Sequence, residues 1–475
     1  MKRLFFPLLF SGVSVGAFCA DVTIFDEGGN FVASGETLNA LADSLSGNAV
    51  VLSGDVTETA KTEFLDIDEN MEITIRSDSS TVRKITGNIP RQQAVQNSIF
   101  RQTGNKKKIT INAQNVSISN PNGYVVCGIN VAINGTNAVF TGSKNPADGS
   151  LDVGEGGVIR TTTNFKANGN SDGLSSAGVA TITGTNTFTD NSAGKGGAIY
   201  AAKSVTFSGD GSEAIFRGNT MSGTDESAYT HAGKNDIWVG GVNSAGVTIK
   251  GKGNYVFDGG IRLASSSGGK LAVNSGASVV FEGGAINLIS NTTTISAATV
   301  IFENSEGENR LMRNIIVARN GELLIAEGAQ IVMGSSGQAV SLTATSEGSV
   351  LGIELCDAYL SGTGKAAIIG DESSVSNTLD ATSVTLSAAD TYALDLVMKN
   401  TGMFSYKIFD ETTVTSTLTK ESFILSDDWK NWEIADYQDG VVTLSYIPEP
   451  SLFGLLAWVP WRLSARVVAA KFFRK

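Results

Sequence analysis

Phe188-Thr189-Asp190-Asn191, followed five residues later by Gly196-Gly197-Ala198-Ile199, is one copy of a short repeat, and that repeat limits the fold more than any other property of the chain. The Phe-x-x-Asn half recurs at Phe165–Asn168 and Phe216–Asn219. The Gly-Gly-apolar half recurs at Gly156–Val158, Gly259–Ile261 and Gly283–Ala285. A unit this short cannot enclose a core of its own, so each must bury its apolar residues against the next. Gly occupies 54 of 475 positions and Pro only 7, a composition that permits many tight corners and interrupts few strand ladders.

The residue types fit one rung of a parallel β-helix. Glycine serves where φ is positive or where backbone passes close to backbone. Phe188, Phe216 and Ala198-Ile199 are placed to stack on counterparts one coil away, about 4.8 Å along the axis. Asn191 and Asn219 suit an inward ladder, because a carboxamide both donates and accepts, or alternatively an ordinary β-turn. At about 20–25 residues per coil, Cys127 and Cys356 fall roughly 45–55 Å apart, beyond disulfide reach.

These motifs resemble the repeat of the polymorphic outer-membrane protein family, the passengers of chlamydial-type autotransporters. The resemblance implies an all-β, right-handed, single-stranded parallel β-helix displayed at a bacterial surface. A second resemblance lies at the far end. Ile447-Pro448-Glu449-Pro450 precedes the apolar run Leu452–Trp461 and a basic terminus at Lys471–Lys475, and this is similar to a PEP-CTERM exosortase signal. It implies Pro448, Glu449 and Pro450 as the sorting motif, exosortase-type machinery as a partner, and contact of the tail with a membrane. Arg462 and Arg466 interrupt the apolar run and Pro460 kinks it, so an amphipathic or interfacial terminal helix is the alternative. The segment after Gly402 is too short for the C-terminal barrel of an autotransporter, so the tail would supply the route to the surface.

The division that follows is a signal peptide over 1–20, a solenoid body over 21–400 with repeats clearest at 150–290, a cap over 401–446 and a sorting tail over 447–475. Lys2 and Arg3, then apolar residues to Phe18 and small residues at Ala17, Cys19 and Ala20, form the export signal, with cleavage after any of the three. Leu38–Leu45 reads as one or two amphipathic helical turns of an N-terminal cap. Phe404, Tyr406, Phe409, Phe423, Trp429, Trp432 and Tyr437 cover the last open coil, or else form a sugar-binding platform.

Charge and chemistry exclude several functions. With 35 Lys and Arg against 47 Asp and Glu, the chain lacks the basic stripe that nucleic acid requires. Lys106–Lys108 reads as a solvated turn. His231 is the only histidine, which removes multi-histidine metal sites within one chain. Asp66, Asp68 and Glu69, and likewise Asp427 and Asp428, show no ligand spacing distinct from acidic turns. No catalytic, metal or cofactor-binding residue is assigned. The expectation is an exported, non-enzymatic adhesin or envelope structural component that engages a surface polysaccharide or cell-surface ligand. The alternative is a lyase or hydrolase of the pectate-lyase-like β-helix class.

Overall fold

The computed structural model describes residues 20–447 except 59–61, 65–69, 89–97, 103–107, 146–157, 162–177, 222–232, 241–245, 265–268, 283–285, 289–291, 304–307, 312–313, 335–338, 363–364, 372–375, 389–391, 394–395 and 397–401. Among the described residues strands dominate, with short 3-10 turns at Asn39–Ser44, Asp357–Tyr359, Lys420–Ser422 and Asp427–Trp429. A single sheet of 25 strands, joined mainly by parallel pairings, runs through the body. The chain is an all-β parallel solenoid.

Each complete coil lays strands on three faces. In one coil these are Lys270–Asn274, Ser278–Phe281 and Ile286–Leu288; in the next, Thr292–Ser296, Thr299–Phe302 and Glu308–Leu311. Every strand pairs in parallel with its equivalent one coil away. In three earlier coils the first two faces are made by one long strand, Lys108–Ser119, Asn130–Thr141 and Val179–Thr189. These strands turn at residues with positive φ, namely Asn115 (51°), Asn137 (54°) and Gly184 (74°). Asparagine and glycine are the residues that enter the left-handed region at least cost, which is why polar and small residues mark this edge. Asn137 Nδ2 also donates to Asn115 Oδ1 (3.0 Å), tying one corner to the next.

Alternating burial makes the core. On the first face Ile73, Ile111, Ile133, Ile182, Phe207, Ile249, Val273, Ile295 and Val317 occupy one inward register, rung upon rung. All are at most 1% exposed. Full burial of each such side chain is worth roughly 1.5–3 kcal/mol. The outward neighbours are mostly Thr, Ser, Asn and Ala, with Glu72, Lys250 and Ile316 among them, so two-residue periodicity puts chiefly polar and small side chains outside and hydrocarbon inside.

Coil length is not uniform. Asn112 and Asn134, neighbours on successive coils, are 22 residues apart, whereas Asn130 and Val179 are 49 apart. The expected repeat of 20–25 residues therefore holds only for the shortest coils. The additional residues stand in sequence on both sides of the third-face strand Ile159–Thr161, while Asn130–Thr141 and Val179–Thr189 stay paired in parallel, with one register shift between Gly135 and Ala138.

Both ends change to antiparallel pairing. Val22–Phe25 pairs antiparallel with Phe31–Gly35 and with Ala49–Leu52, and the latter starts the parallel stack by pairing with Met71–Ser77. The expected amphipathic turns near Leu38–Leu45 are a 3-10 helix, Asn39–Ser44, with no buried residue of its own. Leu38 and Leu45 on either side are fully buried. At the other end Met403–Lys407, Val441–Tyr446 and Trp432–Gln438 form an antiparallel three-stranded sheet. Within it Trp429 packs edge-on against Trp432 (centroids 5.6 Å apart) and Tyr406 (6.4 Å).

Cys127 and Cys356 are buried and neither is in a disulfide. Burial raises the Cys356 thiol above its ordinary pKa.

Candidate functional sites on the solenoid

The Phe-x-x-Asn unit forms the corner after the second face. Phe188 points inward, Asp190 turns with φ 54°, and Asn191 returns to the interior; Phe216, Gly218 (φ 63°) and Asn219 repeat this one coil on. The Phe188 and Phe216 rings lie 4.6 Å apart and nearly parallel at 6°. Phe140 stacks below, and Phe257, Phe281 and Phe302 continue above, with centroids 5.0–5.5 Å apart. Such ring pairs contribute about 0.5–1.5 kcal/mol each beyond the area they bury.

A polar ladder runs beside these rings. Asn191 Nδ2 donates to Phe140 O (3.1 Å) and Asn219 Oδ1 (2.9 Å); Asn219 Nδ2 donates to Phe188 O (3.0 Å) and Asp236 Oδ1 (2.9 Å). Below, Ser143 N donates to Asn191 Oδ1 (3.1 Å). Asn191, Asn219 and Asp236 are essentially unexposed, and a buried amide is tolerable only when bonded in this way. Asp236 ends the ladder, accepting also from Gly259 N–H (2.6 Å). Burial pushes its pKa up to about 7, against the two donated hydrogen bonds, which lower it. Lys234 and Asp258, joined at 2.7 Å, are the charged groups that act on it.

The glycine half of the repeat forms the next corner. Gly196 has φ 64°, and a Cβ there would run into Ile199 O; a Cβ on Gly197 would lie 2.6 Å from Asn235 O and Thr220 N. Ala198 and Ile199 are fully buried, and Ile199 stacks between Ile159 and Ile237. Phe165 and Asn168 lie outside the described residues, and Phe140 is the direct register partner of Phe188. Pro448, Glu449 and Pro450, residues 1–19 of the expected export signal, the acidic group at Asp66, Asp68 and Glu69, and His231 also lie outside the described residues. Asp427 and Asp428 are exposed in a 3-10 turn.

Two arrangements escaped sequence reasoning. Along the third face Arg101, Cys127, Arg160, Tyr200, Trp238 and Arg262 share one register row. The Arg262 guanidinium carbon is 3.9 Å from the Trp238 ring centroid, and Lys195 Nζ is 5.3 Å from it, so cations stack on the indole. Trp238 is only 2% exposed, which makes this a packed row rather than an open aromatic platform.

The second is a cleft of about 510 Å³ where the Asp26–Asn30 turn overhangs the first face. Asp26 fixes that turn, accepting from Asn30 N (2.8 Å) and Asn30 Nδ2 (2.9 Å), and these bonds hold its pKa below the ordinary carboxylate value. Glu27, Glu72, Arg76, Asn112 and Asn134 also line it, with Thr74, Gln114 and Thr136. Among the described residues, no group of three acidic, histidine or cysteine side chains is arranged to hold a metal ion. The cleft is therefore a hydrogen-bonding site of mixed charge.

Comparison with known proteins returned no match to a family model, to a curated protein or to a solved structure.

Proposed function

We propose that this protein is an exported, envelope-associated β-helix of right-handed coil that acts as an adhesin or structural element, with polysaccharide or another cell-surface ligand as its partner. The observation that carries the reading is the stack itself. Its residues go into long inward ladders, while the outward positions of the first face are mostly hydroxyls, amides and small side chains. A rigid rod with a repeated polar surface suits many shallow contacts. The repeat's resemblance to polymorphic outer-membrane proteins supports display at a surface. The N-terminal signal and the PEP-CTERM-like tail support export and recognition by exosortase-type machinery.

The test is fractionation of producing cells combined with a polysaccharide panel. A form shortened near Pro448 and exposed to protease on intact cells, together with saturable binding without turnover, is the expected result. Full-length protein confined to the cytoplasm overturns the sorting reading. Release of shorter or unsaturated products from the panel overturns the adhesive reading in favour of a lyase or hydrolase.

A further inference from the structure

The cleft under the N-terminal turn continues into a directed line of hydrogen bonds on the first face. Thr183 Oγ1 donates to Asn134 Oδ1 (3.2 Å), Asn134 Nδ2 to Asn112 Oδ1 (3.2 Å), and Asn112 Nδ2 to Glu72 Oε1 (2.7 Å). The line ends on a carboxylate, which can only accept when ionised, so every amide along it has a fixed orientation. Four coils thus present pre-oriented donors and acceptors at the spacing of the parallel ladder, close to the advance of one pyranose ring in an extended chain. The exposed Asn134 uses one N–H in the line and still offers its second, while Asn112, whose Nδ2 also donates to Thr74 Oγ1 (3.3 Å), offers oxygen lone pairs; sugar hydroxyls both donate and accept.

We propose that this cleft and its amide line bind a neutral polysaccharide, one chain end seated beneath the Asp26–Asn30 turn and the following sugars lying over Asn112 and Asn134. The proposal rests on the reading of the protein as a surface solenoid that engages glycans and names the ligand class. Charge selects the class. Asp26, Glu27 and Glu72 outnumber Arg76 in the cleft, so a uronate or sulfated chain meets like charge there.

The test uses the purified full chain with a soluble neutral β-glucan, and polygalacturonate as the acidic competitor. Calorimetry is expected to show binding of the glucan and at least tenfold weaker binding of polygalacturonate. Asn112→Ala is expected to weaken the glucan about tenfold with an unchanged melting temperature. Asn134→Asp, which adds a charge to the line, is expected to weaken it as well and keeps the test open should Asn112→Ala fail to fold. Arg262→Ala on the third face is the control and leaves affinity unchanged. Equal affinity in both asparagine variants, a preference for polygalacturonate, or no binding of the glucan each overturns the proposal. Protease accessibility of the body on intact cells is read separately and decides the surface location whatever the glycan result.

Discussion

Asp236 is the residue at which the buried ladder meets a charge, and it gives stability a calculable pH dependence. Its folded pKa, about 7, lies above the ordinary aspartate value of 3.8. Below the ordinary value both states hold the proton and the residue contributes no difference. Between that value and about 7 the unfolded chain releases the proton while the folded chain keeps it, so stability falls as pH rises; above about 7 the deficit is constant. Denaturation at pH 5, 6, 7 and 8 is expected to show this decline, and Asp236→Asn is expected to remove it whatever its effect on the overall level. An unchanged slope in the variant would place the titration elsewhere. Asn219→Ala removes the acceptor for Asn191 and a donor to Asp236, and is expected to cost at least about 2 kcal/mol in chemical denaturation. Gly197→Ala is expected to destabilise as well, because neither Asn235 O nor Thr220 N is the yielding end of a side chain. A neutral result there would mean that the corner relaxes.

Among the elements, the C-terminal antiparallel sheet adds an aromatic cluster to the end of the common core. Trp429→Ala is expected to cost about 3–5 kcal/mol locally. Amides of Met403–Lys407 and Val441–Tyr446 would then exchange early while those of Val179–Thr189 stay protected. Simultaneous loss of protection in both regions would show that cap and coils unfold as one unit. The elements also show what the sequence made legible. Phe188 and Phe216 were readable because asparagine stands three residues on. Phe140, Phe257, Phe281 and Phe302 belong to the same stack but carry Ser143, Gly260, Gly284 and Ser305 at that position. The ring stack requires only the ring, whereas the asparagine is needed where buried backbone lacks a partner. The cleft was illegible for a different reason: Asp26, Glu72, Asn112 and Asn134 meet only because coils of particular lengths stack, and no local pattern records those lengths.

For the whole molecule, stability is close to a sum over neighbouring coils, with no covalent link across them. Cys127 and Cys356 sit in distant coils, so unfolding midpoints with and without reductant are expected to coincide. A lower midpoint under reductant would require a covalent connection that the coil order forbids. The variable coil length has its own consequence. In the 49-residue coil the added sequence enters at the borders of the third face, while the first two faces stay paired with their neighbours. That edge is thus permissive to foreign peptide, and a tag or epitope spliced there should be carried without disturbing the first face.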